Sequence, residues 1–457
     1  LMPTHLASPF NPGDERELYE LQREGLAFIY SRIMNTAYTT PGQNVVTLLA
    51  HDPSLGKTTT AVAFAKIHPF TEYAKELPEP YKTPIKRIVV VCPERARTTW
   101  KKEFEQWTKR DVFRYGIDDR AGARWSESRD GVLVVGYSSI IRESFVDKLG
   151  IGPFEANLLI VDEVRYLSNN KSKRSIAVRT IAKRFIHTIT LDGTPMLAKP
   201  IELFPLLNMA DDRRFGNYWK FATRYCDAKR SVFGWDVSGS SNIPELAGYM
   251  REFMHRVRRS QAQLPELRRI PVPIDIEDRG ELEDAVAKVI GGMGVPGASA
   301  HAATVKARNV QVSNAVRQIV YDARRDETIE WLVDWAKGNP GRKLLVFAWN
   351  KTVVEDVVSG LTGGLDLSTG TIEGVTGDTP VAQRDAIVKR IGAHFPTISQ
   401  TTGVSIEINL DAAPSLPRAT HEVAYDLVNN DVDAMVRVQQ GALTYAVTSY
   451  VDSSHFR

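Results

Sequence analysis

Three side chains in the first half of the chain have the chemistry to hold and cut a phosphate: Lys57, Asp162 and Glu163. Lys57 lies in Leu48-Leu-Ala-His-Asp-Pro-Ser-Leu-Gly-Lys-Thr58, where an apolar run ends, the chain turns and Gly56-Lys57-Thr58 opens a helical pattern. Backbone N–H groups at such a helix start can surround a phosphate, and the helix dipole favours its charge. The Lys57 ammonium can neutralise β- and γ-oxygens, and the Thr58 hydroxyl can ligate Mg²⁺. The second stretch is Leu158-Leu-Ile-Val-Asp162-Glu163, two carboxylates at the end of a buried run. In a parallel sheet, ligands sit at that end of the strands. Asp162 would hold Mg²⁺ through water, and Glu163 would orient or deprotonate an attacking water. Each stretch alone has a plainer reading, an ordinary helix N-terminus or a strand-terminal acidic turn. Together, about a hundred residues apart, they read as one site for ATP and Mg²⁺. His51 stands where the usual G-x-x-x-x-G-K-[ST] loop has its first glycine.

The elements that must carry these groups are legible as apolar runs alternating with helical patterns. Val45–Ala50, Arg87–Cys92, Gly131–Tyr137, Asn157–Val161 and His187–Leu191 read as strands, and Thr59–Ile67 as a helix. Fully apolar strands interleaved with helices imply a parallel sheet covered on both faces. A doubly wound α/β lobe is therefore expected over 1–209. Residues 210–325 mix aromatic and basic residues at helical spacing and read as a mostly helical insert and linker, with Gly291–Ala300 a flexible connection. A second α/β pattern begins with a helix over Thr328–Lys337, a strand over Lys343–Trp349 and a helix over Val353–Leu361. It predicts a second lobe over 326–457.

The bulk properties fit a globular protein of several domains. The chain has 457 residues, 43% hydrophobic and 25% charged, with a formal net charge of +3. That weakly basic balance permits a nucleic-acid partner without requiring one. No run of apolar residues is long enough to span a membrane, and Leu1–Phe10 lacks the features of a secretory signal. A cytoplasmic or nuclear setting is expected. Two cysteines, Cys92 and Cys226, cannot form a disulfide framework or a four-cysteine zinc site. The basic clusters Lys171–Arg174, Arg256–Arg259 and Arg324–Arg325 read either as solvated helix faces or as phosphate contacts. Trp100, Trp107, Trp219 and Trp235 read either as core packing or as surfaces for base stacking.

In order, these motifs resemble superfamily 2 helicases, and specifically the Swi/Snf-type ATPases. Leu18-Tyr-Glu-Leu-Gln22-Arg-Glu-Gly looks like the opening motif, Leu49–Thr58 like the phosphate loop, and Asp162-Glu163 like the Walker-B pair. Val91-Cys-Pro93 with Trp100–Trp107 is similar to the segment that touches the DNA backbone, and Leu191-Asp-Gly-Thr-Pro-Met196 to the coupling motif. Leu344–Trp349 and Gly374–Arg384 follow the family order, and Phe215–Lys229, Phe233-Gly-Trp-Asp236 and Met254–Leu267 resemble the HepA-related, annealing-helicase branch. The resemblance runs from about Leu18 to about Ala413. It implies two RecA-like lobes flanking a helical insert. ATP would be held by Gln22, Ser54, Leu55, Gly56, Lys57, Thr58 and Thr59, with Gln22 reading the adenine edge, and Mg²⁺ by Thr58 and Asp162. Lys57 and Glu163 would act in catalysis, together with Arg437, the one nearby candidate for an arginine reaching the γ-phosphate.

The sequence departs from the family at several points. Ser54 stands in place of a loop glycine, Val164-Arg165 in place of Ala-His, and Asp192 in place of a small hydroxyl residue. Ser405, Ile406 and Glu407 replace a Gly-Val-Gly, and Met435–Tyr445 lacks the full arginine set. The expected function is a DNA-stimulated ATPase that translocates on, remodels or anneals DNA through lobe opening and closing. It would act as a monomer with little base specificity. The alternative is an ATP- or DNA-binding module with a degenerate second lobe and little turnover. A strand-separating helicase lacks a dedicated wedge in this sequence.

Overall fold

The computed structural model describes residues 18–68, 72–141 (bar 109, 119 and 129), 156–261 (bar 233), 279–292, 302–339 and parts of 344–409. It divides into two compact units, Leu1–Leu267 and Arg268–Arg457.

The first unit is built on one seven-stranded sheet of order β3-β4-β2-β5-β6-β1-β9, parallel throughout. Its strands are β1 (Val45–His51), β2 (Arg87–Cys92), β3 (Asp111–Arg114), β4 (Gly131–Gly136), β5 (Ala156–Asp162), β6 (Phe185–Leu191) and β9 (Met254–Val257). β1, β4 and β6 are buried along their whole length, β4 with apolar residues throughout and β1 and β6 with a few buried polar residues among apolar ones, as in a sheet covered on both sides. One face packs on helix α1 (Glu20–Thr39), α2 (Lys57–Ile67) and α3 (Arg97–Thr108) through Leu26, Ile29, Ile33, Phe64, Trp100 and Phe104. The other packs on α4 (Lys173–Ala182), α5 (Phe204–Ala210), α6 (Tyr218–Tyr225) and α7 (Ile243–Phe253). The strands read from the sequence agree with the sheet to within a residue or two. β3 and β9 lie at its two edges and were not read as strands.

The first unit continues past residue 209, where the composition changes, for a packing reason. Phe215, Phe221, Tyr225, Leu246, Met250 and Phe253 share one buried cluster with Leu48, Val89 and Leu159 of the central strands. The chain then returns as β9, pairing Leu48 with Met254 and His51 with Val257. A short antiparallel hairpin, β7 (Lys229–Ser231) and β8 (Gly234–Asp236), projects between α6 and α7.

In the second unit, helix α8 (Arg279–Gly292) packs on α9 (Ala302–Asp322) through Leu282, Val312, Val316 and Val320. Helices α10 (Arg325–Gly338) and α11 (Lys351–Gly364) meet through Leu332, Val333, Val353, Val357 and Leu361. Strands β10 (Leu344–Phe347) and β11 (Ile406–Asn409) pair in parallel, Leu344 opposite Ile406. Parallel pairing with helices between the strands is the α/β arrangement read from the sequence. Gly291–Ala300, most of Gly374–Arg384 beyond Pro380, and Arg437 lie wholly or partly outside the described residues.

Candidate functional site

The C-terminal ends of β5, β6 and β1 lie side by side, with Asp162 level with Leu191 and Leu191 level with Leu49. Each of these strands stops where its apolar run gives way to a chemically distinct residue: Asp162-Glu163, Asp192-Gly193 and Asp52-Pro53. Buried strands thus deliver three acidic positions to one edge, beside the first turn of α2.

The loop from β1 to α2 turns through two left-handed residues, Ser54 at φ 67° and Gly56 at φ 76°. Ser54, which stands in place of a loop glycine, thus occupies a region that L-residues take at a cost of about 1 to 2 kcal/mol. Gly56 is required for a second reason. A Cβ there would overlap the side-chain amide nitrogen of Gln22. Gln22 is buried, and its Oε1 accepts from the Tyr19 backbone N–H at 3.0 Å, which locks the side chain at the start of α1. Gly56 offers no capping side chain, so the first-turn N–H groups of α2 have no side-chain acceptor from the residue before them. Replacing Gly56 with Ala is expected to lower stability by about 1 to 3 kcal/mol, read as a lower denaturant midpoint. A midpoint unchanged from the parent would show that the loop adapts freely.

Lys57 folds back over this loop, and its ammonium donates to the carbonyls of His51 at 2.6 Å and Asp52 at 3.2 Å. Burial pushes the Lys57 ammonium down from its ordinary value, while the charges of Glu163, Asp162, Asp192 and Asp52 pull it back up. The lysine and the acidic pair, far apart in sequence, therefore act on one another in space. Thr58 and Thr59 are half-buried in the first turn of α2, and Leu55 is buried in the loop.

Asp162 is held by a residue whose role here the sequence did not reveal. The indole N–H of buried Trp100, from α3, donates to Asp162 Oδ2 at 2.9 Å. Burial raises the Asp162 carboxyl from its ordinary range; the Trp100 hydrogen bond opposes this, and the neighbouring Glu163 adds to it. Glu163 has a left-handed backbone, φ 53°, and pairs with Arg165 at 2.7 Å. Strained backbone at a chemically active position is a common functional signature.

Two departures from the family pattern find their physical reason here. Asp192 is almost fully buried, and its carboxylate accepts from the backbone N–H of Arg165 at 2.8 Å and of Thr194 at 2.7 Å. It ties the turn after β5 to the turn after β6, a job a short hydroxyl could do for one N–H only. Arg165 reaches the coupling segment through its backbone, leaving its guanidinium for Glu163.

Arg256 belongs to the basic cluster Arg256–Arg259, for which the sequence predicts a helix face or a phosphate contact. It stands instead on edge strand β9 and is fully engaged. Its guanidinium donates to Ala50 O at 2.7 Å, Gly193 O at 2.6 Å and Asp52 Oδ1 at 2.7 Å. Asp52 is further held by the Arg259 N–H at 2.8 Å. One side chain thus stitches the ends of β1 and β6 to the Lys57 loop. Replacing Arg256 with Ala is expected to cost about 1 to 3 kcal/mol, since charge-assisted hydrogen bonds are lost and partly exposed ones count for less. Lys, which lacks the planar fork, should restore only part of it. Thermal unfolding of the three proteins checks this, and an Ala variant as stable as the parent would contradict it.

Of the four tryptophans read as either packing or stacking groups, Trp100 is core. Trp107 donates to Glu103 at 3.0 Å within α3. Trp219 and Trp235 are about half exposed. No group of three or more His, Cys, Asp or Glu residues able to hold a metal on its own occurs among the described residues. No described helix is long and apolar enough to cross a membrane.

Comparison with known proteins agrees with the resemblance read from the motifs. The chain is 28% identical over 349 residues to the SWI/SNF-related matrix-associated actin-dependent regulator of chromatin subfamily A-like protein 1 of Xenopus tropicalis, covering 74% of this chain and 32% of that protein. It is 29% identical over 269 residues to the DNA annealing helicase and endonuclease ZRANB3 of Mus musculus, covering 57% of this chain and 23% of that protein. The chain therefore spans about a third or less of the length of these relatives. Among solved structures it is similar to the Sulfolobus solfataricus SWI2/SNF2 ATPase core in complex with dsDNA, at a TM-score of 0.45 and 17% identity, covering 88% of this chain and 80% of that one. Residues 21–277 match the SNF2-related domain, more than half of the 457 residues, and the chain belongs to that family.

Proposed function

We propose that this chain is a DNA-stimulated ATPase that moves along, remodels or anneals DNA. The observation that carries the proposal is that Lys57, folded over the end of β1, and Asp162-Glu163, at the end of β5, stand at one edge of the sheet, where the ends of β1, β6 and β5 lie side by side. A half-buried cation at a sheet edge that also carries carboxylates, next to a helix start without a capping side chain, suits a polyanion that arrives with its own divalent cation.

The residues present fit that pairing. Thr58 and Asp162 would hold Mg²⁺, which when bound supplies positive charge to the phosphate oxygens. Lys57 exchanges its carbonyl acceptors for phosphate oxygens and neutralises their charge. Trp100 fixes the Asp162 carboxylate so that it need not reorganise. Glu163 orients a water and takes its proton, and Arg165 limits the directions its carboxylate can point. Gln22, which lies against Gly56, would meet the base. We assign the γ-phosphate arginine to Arg437 and residues 326–457 to the second lobe on the family order alone, and within the insert expected over 210–325 the part up to Val257 shares the core and sheet of the first unit. Chemistry of this kind exerts alternating grip on the phosphate backbone, which implies little base specificity and a strong dependence on salt. We read the working unit as a monomer, in the cytoplasm or nucleus.

The relatives include a protein named as a DNA annealing helicase, which supports DNA as the track. The test is ATP turnover by the intact chain alone and with double-stranded, single-stranded and forked DNA. Stimulation by at least one of these is expected. Nucleotide binding with no turnover under any condition would favour the binding-module reading, and no stimulation by any DNA would reject the motor.

A further inference from the structure

We infer that Trp219 and Trp235 form a stacking platform for unpaired nucleic-acid bases, separate from the phosphate-gripping surface of the motor. This rests on the proposal that DNA is the partner.

The two indoles are 49% and 54% exposed, yet touch one another, with ring centroids 5.1 Å apart at 49°. Tyr218 meets Trp219 edge-on at 5.3 Å. Exposing large aromatic surface costs free energy, and an exposed contiguous aromatic group commonly marks an interaction site. The support beneath it is rigid. Phe221 and Tyr225, on the opposite side of α6, are buried in the core of the first unit. Glu245 of α7 clamps the end of α6 through Tyr225 at 2.8 Å and through Arg224. Asn217 caps α6 by accepting from the Lys220 N–H at 3.0 Å. The rings are therefore displayed on a fixed base and are not the tip of a floppy loop.

The charge around the rings selects the occupant. Arg230 lies directly opposite Trp235 in the hairpin, so both side chains share one face. Lys220 follows Trp219, and Lys220 and Arg230 are both exposed. The nearby carboxylates are largely engaged: Asp227 pairs with Lys229 at 2.6 Å, and Asp236 accepts from the Ser238 N–H at 2.9 Å. Aromatic faces with a cationic rim match bases flanked by phosphates. In duplex DNA the base faces are stacked on one another and unavailable, so the platform discriminates for unpaired strands.

The test uses the full chain with Trp219→Ala, Trp235→Ala and both together, and with Trp219→Phe and Trp235→Phe as conservative controls. Binding to a fluorescent single-stranded oligodeoxynucleotide and to a blunt duplex is measured by anisotropy, alongside basal ATP turnover. Each Ala variant is expected to lose about tenfold in single-strand affinity, with the Phe variants within a few-fold of the parent. Duplex affinity and basal turnover should not change. Equal losses on both DNAs, or unchanged single-strand binding with duplex binding intact, would overturn the platform and leave the motor standing. The latter result would point instead to a protein partner for this face. Failure of the parent to bind any nucleic acid would overturn both.

Discussion

Glu163→Gln should bind ATP nearly as well as the parent and turn it over about 10² to 10⁴ times more slowly, the span that a positioned general base contributes. The substitution keeps the shape of the side chain and removes only its capacity to accept a proton. Gln can still accept a hydrogen bond from Arg165, so the turn after β5 should survive. The local backbone, already held at φ 53° by the packing around it, gives Gln the same conformation to adopt. Removing one negative charge also weakens the field that restores the Lys57 ammonium, where Glu163 is the strongest of the four carboxylate influences. That change acts on phosphate binding in the favourable direction, because less repulsion meets the incoming triphosphate. The discriminating pair of measurements is steady-state turnover with DNA present and nucleotide affinity by calorimetry. A variant that keeps turnover within a few-fold of the parent would remove Glu163 from the chemical step.

Lys57→Ala should fail earlier, at binding. Two charge-assisted hydrogen bonds to phosphate are lost, each worth about 1.5 to 3 kcal/mol, so affinity should fall by about 10² or more. The loss is aggravated by Asp162, Glu163 and Asp192, which would face the phosphates without an intervening cation. Lys57→Arg should not rescue it, since the guanidinium is a planar fork and the pocket holds a compact ammonium against the His51 and Asp52 carbonyls. Stability without nucleotide should change little, because a buried lysine already bears a desolvation cost that alanine avoids. Calorimetric titration with ATP, backed by a thermal melt, separates the two effects. Parent-like affinity in the Ala variant would place the triphosphate elsewhere.

The strands that carry the site were legible because each is a run of apolar residues ending abruptly at a charged one. β1 stops before Asp52 and β5 at Asp162-Glu163, and a sheet buried on both faces favours such runs. The edges were less legible for the opposite reason. β9 buries only Val257 fully, so its second half reads with the basic cluster Arg256–Arg259, and its pairing with β1 depends on residues some two hundred positions apart. The same distance hid Arg256, whose three acceptors come from β1, from the loop after it and from the turn after β6. Trp100 illustrates how far local reading extends. Its place in a buried helix face was readable from α3, but its hydrogen bond to Asp162 needs the β2–β5 pairing to bring the two together. Asp192 was visible as an oddity of type, and only its two backbone partners explain why a carboxylate belongs there. The change of character at residue 210 marked where aromatic and basic residues begin. It did not mark where the first core ends, because those aromatics fill that core.

The most direct test of the central claim is to locate the nucleotide and its metal together. Crystals of the intact chain grown with Mn²⁺ and a non-hydrolysable ATP analogue should show an anomalous peak between Thr58 Oγ1 and the Asp162 carboxylate. The terminal phosphates should lie against the Lys57 ammonium and the first turn of α2. A well-ordered analogue bound away from that turn, or a manganese peak remote from both Thr58 and Asp162, would contradict the account.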